Sequence, residues 1–499
     1  MYLRIVEKKV KIMNNIKCKY YKSCGNCQLL NKTYQDTLTH KLNYVNNCLN
    51  KYNIRDKVND IIPSDKNFGY RNKMIIGYKY ANGKIISGFY EENSHKIVDI
   101  DNCLMHSDLQ NDIAKGIKKI FSDLKIRPYD EDRKIGLIRY VLIREAIFKK
   151  EILVTIVTST DVFPGRSEVV KRIRNISPLI KTIIQNINPR KTSIVLGEKE
   201  RILYGPGFIK DEMCGITFNI TSKAFYQVNP LQTTKLYGKV IEHSKFTGNE
   251  TIIDAYSGVG TIGMILSKSV RNVISVENNK QAVNAAIVNA KNNNITNVKF
   301  VCDDATNFII NLAKEEQKID AIIMDPPRSG STPEFLNSAI KLRPNKIIYV
   351  SCDPATLARD LQILNKYYKI DKMTCVDMFC WTEHVETIVL LSHKSKNSKV
   401  NINLNFDNEN GKKFMKKVVE NVDSRKEPES ASYPEIKEYI FNKYNVKVSS
   451  LYIAQTKAKY GIIERECYNK PKSENSCQPK CPKEKEEMIV DAFKHFKMI

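Results

Sequence analysis

The chain has 499 residues, enough for two to four domains with a full core. Lys and Arg number 80 against 55 Asp and Glu, a net charge of +25 that favours a polyanionic partner, nucleic acid first. No apolar run is long enough for a membrane span or a signal peptide, so a cytoplasmic protein with reduced thiols is expected, and 13 cysteines there serve packing, metal binding or catalysis rather than disulfides.

Residues 1–65 form a cysteine-bearing segment, with Cys18, Cys24 and Cys27 in "CKYYKSCGNC". A helix follows, carrying Leu42, Val45 and Leu49 on one face. Residues 66–225 read as an α+β domain. "MIIGYKYANGKIISGFY" is a hairpin turning at Asn82-Gly83, and "LIRYVLIREA" with "EILVTIVTS" is a strand pair around Lys149 and Lys150. In residues 226–395 the strands "TIIDAY", "NVISVE", "AIIMD", "IIYVS" and "TIVLLS" alternate with helices, the pattern of a doubly wound sheet. Residues 396–432 are polar and charged and read as a linker, and 433–499 as a small helical extension. Lys457 and Lys459 there are candidates for phosphate contact, against the alternative of a packing module with a solvated face.

"DAYSGVGTIG" sets Gly258 and Gly260 between a strand and a helix, where backbone approaches a ligand closely. The next strand ends in Glu277, the place of a ribose-binding carboxylate. Asp254 and the "DPP" turn suit the sulfonium S-adenosylmethionine better than a dinucleotide. Asp325 and Arg328 of "DPPRSG" and Cys352 of "SCDP" end successive strands, so they are expected to face one crevice. Asp353 and Pro354 are suited to cap the helix after Cys352, and its N-terminus is expected to lower the thiol pKa. Glu386 starts the last apolar run; if that strand is antiparallel, its carboxylate reaches the same edge. A solvated strand-end charge is the alternative.

"FYQVNP", "DAYSGVGTIG", "DPPRSG", "SCDPATLARDL" and "HVETIVLL" together resemble the RNA uracil-C5 methyltransferase family, over nearly all of residues 18–395. The resemblance implies a Rossmann-like S-adenosylmethionine sheet with an antiparallel last strand. It also implies 5-methyluridine formation, with Cys352 as nucleophile at uracil C6 and Glu386 as the base that removes the C5 proton. Gln227, Tyr256, Glu277 and Asp325 match cofactor-holding positions, and Asp304 joins them as a candidate.

Cys18, Cys24 and Cys27, with Cys103 as a distant fourth, suit a [4Fe-4S] cluster better than zinc; unliganded thiols are the third reading. By resemblance to iron-sulfur-containing bacterial members, 23S rRNA is expected as the substrate rather than tRNA. The enzyme is expected to be a monomer, and a non-catalytic RNA-binding or assembly factor is the alternative reading. Only 17 residues precede Cys18, so no TRAM-type barrel is expected there.

Overall fold

The computed structural model describes residues 18–394, apart from 93, 191–193 and 316, together with 433–460, 462, 481–496 and 498. The expected linker and two of the cysteines, Cys467 and Cys477, lie outside the described residues. The chain divides into two units at Ser398, each taken by itself below.

In the large unit, helix α1 (Tyr21–Cys24) ends at Gly25, whose φ of 69° turns the chain toward Cys27. Helix α2 (Tyr34–Lys51) starts at Thr33, which accepts a hydrogen bond from the Asp36 amide. Its buried Val45 and Leu49 join the core beneath the catalytic sheet. Strand β1 (Ile61–Ile62) then becomes an edge of that sheet. The cysteine segment is thus built into the catalytic layer rather than standing apart as a body of its own.

The hairpin strands β2 (Lys73–Ala81) and β3 (Lys84–Tyr90) turn through Asn82 and Gly83, both with positive φ. That is the twist a two-residue hairpin needs. With β4 (Ile97–Asp99), β5 (Ile138–Ala146), β6 (Glu151–Thr158), β7 (Ile180–Ile187) and β8 (Lys199–Tyr204) they make a seven-stranded sheet in the order β4-β3-β2-β5-β6-β7-β8. Helices α3 (Asp108–Asp123) and α4 (Arg166–Arg174) cover one face, Ile113, Phe121 and Ile173 packing on Val141, Val154 and Ile183. The other face shares a core with the catalytic part, where Leu142 and Leu153 join Phe218, Leu236 and Ile252.

A short hairpin, β9 (Ile209–Met213) and β10 (Ile216–Ile220), leads into the catalytic layer. Its helices and strands follow as α5 (Pro230–Ser244), β11 (Thr251–Ala255), α6 (Thr261–Leu266), β12 (Asn272–Glu277), α7 (Lys280–Asn292), β13 (Val298–Cys302) and α8 (Ala305–Lys314). Then come β14 (Ala321–Met324), α9 (Pro333–Leu342), β15 (Lys346–Ser351), α10 (Pro354–Leu364), β16 (Tyr368–Val376) and β17 (Glu386–His393). The eight-stranded sheet has the order β1-β16-β17-β15-β14-β11-β12-β13. Strands β11 to β15 pair in parallel, and β17 enters antiparallel between β15 and β16. Near-continuous burial along β11, β14 and β15 is what a sheet covered on both faces requires.

The small unit contains α11 (Tyr433–Tyr444), α12 (Ser450–Lys459) and α13 (Lys483–His495) around Ile436, Ile440, Ile453, Ile489 and Phe493. Lys459 pairs with Glu486 at 2.5 Å, and Lys457 is buried with its ammonium 4.6 Å from the Tyr433 ring centre. Of the two candidate phosphate-contacting lysines, Lys457 is buried while Lys459 stays 65% exposed in its ion pair.

Candidate active site

The carboxyl ends of β11, β12, β14 and β15 open into one cavity of about 820 Å³, within the usual range for a small-molecule site. Its wall carries Gln227, Tyr256, Gly258, Glu277, Asp304, Asp325, Cys352 and Glu386 together. Gly260 is the exception. It does not line the cavity, and a side chain there would meet Phe300 at 2.8 Å and Ala286 at 3.3 Å. Its glycine serves the turn into α6, at a φ of 74°, and packing against α7 and β13.

At the β11–α6 turn Tyr256 adopts a φ of 61°, a backbone conformation rare for a bulky residue. Its hydroxyl meets Ser331 Oγ at 2.8 Å, and its ring lies 5.4 Å from Phe335. Nothing would obstruct a ligand at Gly258, where even an added Cβ finds open space. The Glu277 carboxylate is fixed by the amides of Gly258 and Asn279, each donating at 2.9 Å. Asp304 caps α8, accepting from Thr306 and Asn307. Asn72 Nδ2 donates to the Gln227 carbonyl, fastening that segment to the start of β2.

At the far end, Asp353 caps α10 by accepting from Ala355 and Thr356, and Pro354 fills the first turn. This fixes the strand-to-helix turn on which Cys352 sits. On the other side, β15 and β17 pair with Ser351 opposite Thr387, so the next step in register sets Cys352 beside Glu386. Arg328 comes from the turn after β14 and reaches His384 Nε2 at 3.3 Å.

Electrostatically the site is a cluster of buried acids. Burial pushes Glu386 up to about 8, aided by Asp325 and opposed by Arg328. Burial likewise raises Asp325 to about 7, with Asp254 adding to it. Behind the wall, Asp254 is raised to about 7 by burial; one of its oxygens accepts from the Gly263 amide at 2.9 Å, while the other has no hydrogen-bond partner among the described residues. Such a set favours a positively charged ligand. The expectation that the helix N-terminus would lower the Cys352 thiol is corrected here. Burial, then Glu386 and Asp325, push it up to about 12, and Arg328 offsets only part.

Sequence reading passed over Phe225 and Phe379, both on the cavity wall. Phe225 is 68% exposed. Its signal was present in "FYQVNP": in an extended segment, residues two apart share a side, and Gln227 was already singled out.

Cys18, Cys24, Cys27 and Cys103 line one small cavity of their own, with Leu30, Leu104 and Met105 beside them. Asn111 holds the Cys103 backbone through paired bonds to its amide and carbonyl. Burial and the neighbouring thiols push Cys27 up to about 12 and Cys103 to about 11. Among the described residues no group of three or more His, Cys, Asp or Glu is arranged to hold a metal ion.

This fold and cavity define a mixed α/β methyltransferase, and comparison with known proteins narrows the class. The profile of the tRNA (uracil-5-)-methyltransferase family matches residues 33–394. An uncharacterized RNA methyltransferase of Clostridium acetobutylicum is 38% identical over 384 residues, spanning 76% of this chain and 84% of the relative. Another from Halalkalibacterium halodurans is 35% identical over 381 residues, covering 76% and 83%. The crystal structure of Pyrococcus abyssi tRNA (uracil-54, C5)-methyltransferase in complex with S-adenosyl-L-homocysteine superimposes with a TM-score of 0.62 at 29% identity, over 73% of this chain and 85% of that one. The chain belongs to the tRNA (uracil-5-)-methyltransferase family and is an S-adenosylmethionine-dependent RNA methyltransferase.

Proposed function

We propose that the protein methylates C5 of a uridine in 23S rRNA through a covalent intermediate on Cys352. The observation that carries this reading is the register of β15 and β17, which sets a thiol and a buried carboxyl side by side at one end of the cavity. Gln227, Tyr256, Gly258, Glu277, Asp304 and Asp325 on the same cavity wall would hold the cofactor. Bound there, S-adenosylmethionine supplies an electrophilic methyl group, and its positive charge suits the acids around it.

Uracil C5 is a poor nucleophile until electron density is loaded onto the ring. Cys352 gives its proton to solvent and its sulfur bonds to C6; the C5–C6 π electrons move toward O4. As the O4 carbonyl re-forms, C5 takes the methyl group, whose bond to the cofactor sulfur breaks so that S-adenosylhomocysteine would be left. Glu386 removes the C5 proton, and those electrons restore the double bond and expel the Cys352 thiolate. Protonation of that thiolate restores the resting thiol. A uridine in structured RNA must be splayed out to reach this crevice.

The four-thiol cavity supports a [4Fe-4S] cluster held by Cys18, Cys24, Cys27 and Cys103. What supports this reading is that the four thiols line one cavity; among the described residues they are not arranged as a set that holds a metal ion. Its role would be structural. By resemblance to bacterial members, the cysteine set supports ribosomal RNA. The matched family's name and the tRNA enzyme from Pyrococcus abyssi favour the second reading, the same chemistry on tRNA. Mass spectrometry of ribosomal and transfer RNA from a deletion strain separates them. The proposal requires one 5-methyluridine to vanish from 23S rRNA; loss from tRNA alone would establish the second reading, and no loss would refute both.

A further inference from the structure

Between β16 and β17 the chain runs as a strap from Asp377 to Val385, placing Phe379 on the cavity wall and delivering Glu386 at its end. The strap is gripped from the cysteine-bearing end of the chain. Lys41 of α2 is fully buried and pairs with the equally buried Asp377, and its ammonium also donates to the Phe379 carbonyl at 2.9 Å. Tyr34 donates to the second Asp377 oxygen at 2.7 Å and accepts from the Ser64 amide at 2.8 Å.

Further along, Trp381 has a φ of 65°, in the left-handed region that a tryptophan adopts only when its surroundings force it. Phe68 stacks on its ring at 5.2 Å, and its indole donates to the Asn67 carbonyl at 2.9 Å. The Leu29 amide, two residues past Cys27, donates to the Trp381 carbonyl at 3.0 Å. A strained residue and a buried ion pair therefore bracket Phe379, each two residues from it in the chain, and both are held by the N-terminal segment.

We propose that the segment carrying Cys24 and Cys27, together with α2, clamps this strap, and that Lys41 and Trp381 are positioning residues for proton removal by Glu386. The inference rests on the reading of Glu386 as the base. The strap carries Phe379 and leads into Glu386, and none of its contacts named above is with Tyr256, Gly258, Glu277 or Asp304, so the clamp acts on the elimination half of the reaction rather than on affinity for S-adenosylmethionine.

The test uses the full chain with total RNA from a strain lacking the gene. Trp381→Ala, Trp381→Phe, Lys41→Met and the pair Lys41→Met/Asp377→Asn are compared with wild type and with Glu386→Gln. S-adenosylmethionine affinity is measured by calorimetry, turnover by label transfer, and adduct by denaturing gel. Affinity should hold in every variant. Trp381→Ala and Lys41→Met should slow turnover on the order of a hundredfold while adduct accumulates, the loss expected when a reacting group is misplaced. Trp381→Phe, which keeps ring stacking, and the double variant, which leaves no lone buried charge, should recover much of it. Unchanged turnover and adduct in Trp381→Ala and Lys41→Met would overturn the clamp, as would affinity and turnover falling together. Absence of adduct in Glu386→Gln would instead refute the base assignment.

Discussion

Cys352, in the turn just after β15, and Glu386, the first residue of the antiparallel β17, come together one step beyond the Ser351–Thr387 pair. Had β17 joined the sheet in parallel, Glu386 would begin at the opposite edge from the cavity. The reversed strand therefore brings together two residues 34 positions apart in the chain. Asp325 and Arg328 complete the neighbourhood, the first raising and the second lowering the titration of both groups.

Replacing the thiol tests its role without altering the residues assigned to the cofactor. Cys352→Ala should abolish methyl transfer to RNA while S-adenosylmethionine binding stays within about twofold of wild type, since affinity and chemistry are then separate quantities. Calorimetry alongside a label-transfer assay measures both. Residual turnover near the wild-type level would remove Cys352 from the chemistry.

The resting thiol should be sluggish toward alkylating agents. Held at about 12, only about one Cys352 in ten thousand is thiolate at pH 8. Peptide mapping after brief iodoacetamide treatment at pH 8 should find the exposed Cys302 modified well before Cys352. At pH 9 Glu386, raised to about 8, carries its charge. Glu386→Gln should then speed Cys352 modification, because the carboxylate that helps hold the thiol up is gone.

Stability of the cofactor-free protein should decline from mildly acidic to mildly alkaline pH. Asp254 and Asp325 rise from 3.8 to about 7, and Glu386 from 4.5 to about 8. Each group holds its proton more tightly when folded, so its contribution is complete below the ordinary carboxylate range and is lost as pH climbs through 7 to 8. Melting temperature should fall between pH 5.5 and 8.5, and Glu386→Gln should flatten the fall. A wild-type melting temperature that rises over this interval would show that these carboxyls are not buried as described.

The cysteine cavity is tested by metal content. Anaerobically purified protein should be brown, with about four irons per chain, and Cys27→Ser should lose most of that iron. A colourless protein bound to zinc, or one free of metal, would remove the cluster from the account.

Much of this was legible in the residues. Asn82-Gly83, Asp353-Pro354 and the glycines after β11 act through local backbone geometry, so their consequences are visible in a few consecutive letters. The antiparallel direction of β17 followed from the family resemblance and not from its own residues: nothing between residues 386 and 393 states which neighbours it chooses, and its place between β15 and β16 is decided by the whole layer. The Cys352 thiol was misjudged for a related reason. A helix terminus is local and visible, whereas burial and two carboxyls from other turns become visible only once the chain is folded. Strand β1, two residues long, carries no periodicity to read, yet it ties the cysteine segment to the catalytic sheet through Ile61 and Cys375.

The most direct measurement is a denaturing gel of labelled RNA incubated with S-adenosylmethionine and either Glu386→Gln or Glu386→Gln/Cys352→Ala. If Cys352 adds to the uridine and Glu386 drives its release, the single variant retains RNA in a covalent band and the double variant shows none. A band that survives loss of Cys352, or no band in either variant, would contradict the account.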